Sequence, residues 1–160
     1  MAVAFKEWAS VCEALGRGEQ DVIIRKGGIH EGREGFQFEH ERFYLFPTLF
    51  HKQVGQVKEL ARHWAPDSEK KVYEVGELVE IRYCCRVLRV EALRDWEQVM
   101  ALDGRHVYAE SLVRERFEWE GKGMLAGAIN VAYVETEELA TPLVVEYKKS
   151  HGGCRSWVEV

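Results

Sequence analysis

No CxxC pair, no apolar run near ~18 residues and no excess of positive charge occur in this 160-residue sequence. Each absence excludes something. Without a long apolar run there is no membrane-spanning helix to expect. The net charge is −5, whereas a protein that grips nucleic acid through many phosphate contacts usually advertises a basic excess. Local basic patches stay compatible with that balance. Cys12, Cys84, Cys85 and Cys154 lack the spacing of a zinc site or a disulfide framework, so reduced thiols in the cytoplasm are expected. Neither GxGxxG nor a Walker-type GxxxxGK loop is present, and no nucleophile elbow precedes a histidine and an acid. No cofactor motif and no metal-ligand spacing is therefore available. The opening MAVAFKEWASVCEALG carries charges within its apolar pattern and does not read as a signal peptide.

Apolar residues make up 46% and charged residues 31%, the balance of a folded globular chain. The length suits one domain over residues 1–160. Phe5, Trp8, Ala9, Cys12 and Leu15 recur at helical spacing, which predicts an N-terminal helix stopped by Gly16 and Gly18. Val22-Ile23-Ile24 and Phe43–Phe46 read as strands. After Pro47, Thr48 reads as an N-cap for a helix carrying Val54, Val57, Leu60, Ala61 and Trp64. The longest strand signal runs from Leu78 to Val90, with a bend expected near Cys84-Cys85. Leu93–Met100 and Ser111–Phe117 read as short helices, and Leu125–Val134, Leu143–Tyr147 and Ser156–Val160 as the last strands. Helices and strands do not alternate regularly. The fold class expected is α+β, with a mixed, mostly antiparallel curved sheet or pseudo-barrel flanked by helices.

The stretch RKGGIHEGREGFQFEHERFYLFPTLFH, Arg25 to His51, concentrates the candidate chemistry. Arg25 and Lys26 end a strand beside Gly27-Gly28, where a phosphate could be met, although glycines there also serve a plain turn. GGIHEG is similar to the start of a Nudix box, but the glutamate-rich helix that should follow is absent. His30, His40 and His51 lie among Glu31, Glu34, Glu39 and Glu41 without HxH or HExxH spacing, so no metal site is assigned. His51 is placed at the first turn of the expected helix and aimed at a pocket. Glu118, Glu120 and Lys122 resemble the acidic-x-lysine triplet of restriction-type nucleases, with Gly121 inside it and no acidic partner strand before it. Arg114 and Arg116 flank Glu115, and Arg155 neighbours Trp157 in the closing GGCRSWVEV; arginine beside an aromatic suits phosphate contact and base stacking.

FKEWASVCEALGRGEQDVIIRKGGIHE, FYLFPTLFHKQ, HVYAESLVRERFEW and GCRSWVEV, in that order, resemble the bacterial family catalogued as domain of unknown function 1802. The resemblance spans nearly the whole chain and implies no activity, only a setting in DNA restriction or defence. VGELVEIRYCCRVLRVEAL is similar to the core of PUA-like domains, which implies a small barrel with a pocket for RNA, a modified base or a nucleotide. Three readings follow. In the first, a binding module takes a nucleotide or nucleic acid with Arg25, Lys26, His30, His51, Arg114, Arg155 and Trp157. In the second, a metal-dependent nuclease or phosphohydrolase uses Glu39, His51, Glu118, Glu120 and Lys122. In the third, a homodimeric interaction protein presents a flat apolar patch and no charged cleft.

Overall fold

A computed structural model describes residues 2–26, 38–66, 72–118 and 127–160. His30, the Gly27-Gly28 turn, Glu120 and Lys122 lie outside those residues.

The chain runs β1 (Val3–Trp8), α1 (Ala9–Gly16), β2 (Val22–Lys26), β3 (Arg42–Thr48), β4 (Leu78–Leu93), α2 (Trp96–Met100), α3 (Glu110–Phe117), β5 (Ile129–Glu146) and β6 (Trp157–Glu159), with short 3-10 turns between. The six strands form one sheet in the order β2-β5-β4-β3-β1-β6. β1 and β3 pair in parallel, and the four other pairings are antiparallel. The mixed, mostly antiparallel sheet is thus as expected. Its backbone is the β4–β5 ribbon, where register shifts between Ile81 and Tyr83 and between Val87 and Arg89 let two long strands bend without breaking. The bend expected at Cys84-Cys85 is therefore divided between two bulges on either side. Along β4, Val79, Ile81, Tyr83 and Cys85 are buried, while Leu78 and Glu80 face outward.

Three expectations fail. The N-terminal helix begins four residues late, because Val3–Trp8 is a strand. β1 lies between β3 and β6 and buries both faces: Phe5 joins the main core and Ala4 the smaller second cluster. A strand buried on both sides reads as a continuous apolar run, which periodicity cannot separate from a helix. The helix expected after Thr48 is also absent. Thr48 ends β3, and Gln53–Gly55 and Glu59–Trp64 form 3-10 turns. The supposed apolar stripe does not face one core, since Val54 and Leu60 are exposed. Val57 instead makes an isolated bridge to Tyr108. The chain after β3 is fastened by Gln53, which is buried. Its Oε1 accepts from the Ser10 hydroxyl (2.7 Å) and amide (3.1 Å), and its Nε2 donates to the Thr48 and Phe50 carbonyls. The break expected between Val134 and Leu143 also vanishes, because β5 runs unbroken from Ile129 to Glu146.

A cationic cavity at the strand ends

β1 and β3 are parallel, so their C-terminal ends fall side by side, and the end of β2 reaches the same place. Lys6, Glu7 and Trp8, then Thr48, then Arg25 and Lys26 line a cavity of about 720 Å³ there. That volume lies within the ~300–1,000 Å³ of ordinary small-molecule sites. α3 adds Leu112, Glu115 and Arg116, and the segment entering β6 adds Cys154, Arg155 and Ser156. That segment folds back at Gly153, whose φ of +76° a side chain would resist. It is then held along β1 by the Lys6 amide on the Ser156 carbonyl and by Lys6 Nζ on the Gly153 carbonyl, each at 2.8 Å.

The floor is a buried charge network. Glu7 is 2% exposed. Its Oε2 accepts from Arg25 Nη1 at 3.0 Å and from the Tyr108 hydroxyl at 2.9 Å, and its Oε1 from the Trp8 amide at 2.8 Å. Arg25 Nη2 also donates to the Lys6 carbonyl, and the guanidinium lies 4.5 Å from the centre of the Phe5 ring. Arg116 donates to the Ile24 carbonyl at 2.7 Å and packs on the rings of Tyr108 (4.9 Å) and Trp8 (5.3 Å). Burial, with Glu7 beside it, pushes the Tyr108 phenol up, so it stays protonated. The Glu7 carboxylate and the Tyr108 hydroxyl raise the Arg25 guanidinium against its own desolvation; desolvation and the like charge of Arg25 lower Arg116. Desolvation and Arg155 also lower the Lys6 ammonium against the pull of Cys154.

Among the described residues five cationic side chains therefore face this cavity beside two carboxylates, in a chain of net charge −5. Aromatic surface adjoins them. Trp8 stacks on Phe50 at 5.4 Å and 29°, and Tyr73 and Tyr147 line the cavity too.

Of the residues singled out in the sequence, Arg25, Lys26 and Arg155 come together here. Trp157 does not line the cavity; it packs edge-on to Phe5 and Phe43 in the core. His51 sits in an exposed turn against the edge of Phe50, because the helix that was to aim it does not form. Arg114 lies over Trp96, on the other side of α3 from Arg116. Glu39 and Glu118 do not line the cavity. Among the described residues no three His, Cys, Asp or Glu side chains stand close enough to share a metal ion. Lys6, Glu7 and Trp8 are the residues that sequence reasoning passed over as site residues, and Arg116, named there beside Arg114, was left out of the binding set. For Arg116 a signal existed: it follows the buried Leu112 and Val113 by four and three residues, on the same helix face.

A family model matches residues 4–160. The chain belongs to the family described as Domain of unknown function (DUF1802). No curated protein matches this DUF1802 chain significantly. Among solved structures it is similar to crystal structures of ASCH from Zymomonas mobilis. For the unmutated protein the TM-score is 0.52 at 9% identity, covering 92% of this chain and 88% of that one. Two point mutants of the same ASCH protein give TM-scores of 0.51 at 10% and 11% identity, covering 92% of this chain and 89% and 91% of theirs. At such identity the likeness establishes the fold: this DUF1802 chain has the ASCH, PUA-like architecture.

Proposed function

We propose that this protein is a binding module for a nucleotide unit, free or within a nucleic acid, and that the cavity at the strand ends is its site. The observation that carries this is the gathering of Lys6, Arg25, Lys26, Arg116 and Arg155 beside Trp8 and Phe50 in one concave site. Clustered cations in a low-dielectric cleft attract phosphate, and aromatic faces accept a base irrespective of its sequence. A setting in DNA restriction or defence, and a modified base as ligand, belong to the same proposal. The interaction-protein reading calls for no charged cleft, and of the nuclease residues Glu39, His51 and Glu118 do not line this cavity, while Glu120 and Lys122 lie outside the described residues.

The test is fluorescence anisotropy with labelled single-stranded DNA, single-stranded RNA and duplex over a salt series. Binding should weaken as salt rises. Replacing Arg155 or Lys26 by Ala should lower the slope of log affinity on log salt by about 0.7–0.9 for every phosphate that the side chain no longer meets. The reading fails if none of the strands, nor any nucleoside monophosphate, binds at low salt.

A further inference from the structure

Within that reading, the floor of the cavity narrows the ligand. It holds two guanidiniums and one carboxylate, and the carboxylate is fully engaged. Both oxygens of Glu7 accept hydrogen bonds, from Arg25, Tyr108 and the Trp8 amide. Tyr108 keeps its proton and adds no charge. Arg116 has one carbonyl, the Tyr108 side chain and the Trp8 ring about it and feels Glu7 only at longer range, and among the described residues it forms no direct ion pair. A half-buried guanidinium without a counter-ion is costly to keep. An anion entering the cavity would supply that counter-ion.

We propose that Arg116 seats the terminal phosphate of a nucleoside monophosphate, free or at the phosphorylated end of a strand, with its base at the Trp8–Phe50 pair. The guanidinium fork suits phosphate oxygens. Lys6 and Arg155 bring two further cations to the same lining. A phosphate monoester carries about −1.5 to −2 charges at neutral pH, so it uses these cations better than a singly charged diester or carboxylate does. Trp8 joins the two halves of the site, since its ring meets Arg116 and also stacks on Phe50, which stands 37% exposed. The proposal rests on the nucleotide reading.

The experiment compares a single-stranded octamer labelled at its 3′ end, with and without a 5′-phosphate, and adenosine 5′-monophosphate with adenosine, on the whole protein. A 3′-phosphorylated octamer labelled at its 5′ end is run beside them. Removing the terminal phosphate should weaken binding about tenfold or more, the size of a charge-assisted hydrogen bond. In Arg116→Gln that ratio should collapse to about twofold or less, while the hydroxyl-ended octamer binds nearly as before. A free-nucleotide site shows the ratio with adenosine monophosphate alone, and a strand-end site also shows it with an octamer. Equal binding of phosphorylated and hydroxyl-ended probes overturns the phosphate seat but leaves the nucleotide reading standing. Binding of no probe overturns both, and tighter binding of a polyglutamate peptide than of any phosphorylated probe assigns an acidic protein instead. An undiminished phosphate ratio in a folded Arg116→Gln also overturns it. If that variant loses its cooperative melt, Arg116→Lys, which keeps the charge and loses the fork, should show an intermediate ratio. If neither folds, the phosphate ratio of the unaltered protein decides.

Discussion

Arginines stand on two regions of this molecule under opposite conditions. On and beside the outer β4–β5 ribbon, Arg82 reaches Glu13 of α1 and Glu138, Arg86 reaches Glu135, and Arg42 of β3 approaches Glu137. Each of those cations finds a carboxylate, and most of these side chains are well exposed to water. At the strand ends, among the described residues, Lys6, Arg25, Lys26, Arg116 and Arg155 line a cavity with Glu7 and Glu115 and with partly apolar walls. The chain-wide charge averages the two regions and so conceals the second. Paired exposed charges leave little field outside themselves, whereas unbalanced charges in a cleft focus it. Where the carboxylates lie, rather than how many there are, separates a decorated surface from a site.

The largest expected effect comes from upsetting the balance at the cavity floor. Glu7→Gln keeps the shape and removes the negative charge buried beneath Arg25 and Arg116. Its amide nitrogen would then face a donor whichever way it turned, either the Trp8 amide or the Arg25–Tyr108 pair. Breaking a buried pair in this way typically costs ~3–5 kcal/mol. Urea denaturation should show a loss of that order. A loss too small to resolve would mean that Glu7 does not neutralise this floor, and the contrast with the ribbon would lose its basis.

A smaller effect concerns His106, buried behind the floor with its ring 5.4 Å from that of Tyr108. Its Nδ1 has no partner among the described residues. Burial, reinforced by Lys58, lowers its pKa from 6.5 to about 4. The unfolded chain therefore binds this proton more readily than the folded one. Stability is unaffected above pH 6.5 and falls as pH drops from there towards 4. The loss attributable to this ring is on the order of 2–3 kcal/mol by pH 4. Surface carboxylates titrate in the same window, so the measurement is the difference between the parent and His106→Asn in urea midpoint from pH 7 to 4.5. The variant should lose less stability on acidification. Equal losses would show that His106 is not held neutral.

The fold was largely legible and the site only in part, and the reason lies in particular residues. β2, β3 and β4 advertise themselves through β-branched or aromatic runs; Arg25-Lys26 falls where the β2 run stops, and Arg155 just before the last expected strand. Glu7 was illegible because an amphipathic helix, the natural reading of residues 5–15, would turn such a glutamate towards water. Only pairing with β3 and β6 forces it inward. His51 drew attention for the opposite reason, through a helix that the buried Gln53 replaces with a tight turn. Arg116 and Arg114 differ by two positions on a helix, which is enough to put one in the cavity and the other over Trp96.

The smallest expected effect is the most diagnostic for the comparison itself. Arg86 and Arg155 are both exposed arginines, and replacing either by Ala changes the net charge equally. Arg86 has its own carboxylate in Glu135, and Glu138 stands on the same ribbon. Long-range attraction of a polyanion would be lowered to a similar extent by both changes and would fade beyond about 8–10 Å at ordinary ionic strength. A site-specific interaction would disappear only with Arg155. Arg86→Ala should therefore leave the urea midpoint and the affinity for a labelled strand unchanged at physiological salt, while Arg155→Ala weakens binding. If the two variants weaken binding alike, the ligand is responding to net charge or lying on the ribbon, and the cavity loses its claim to be the place where it is held.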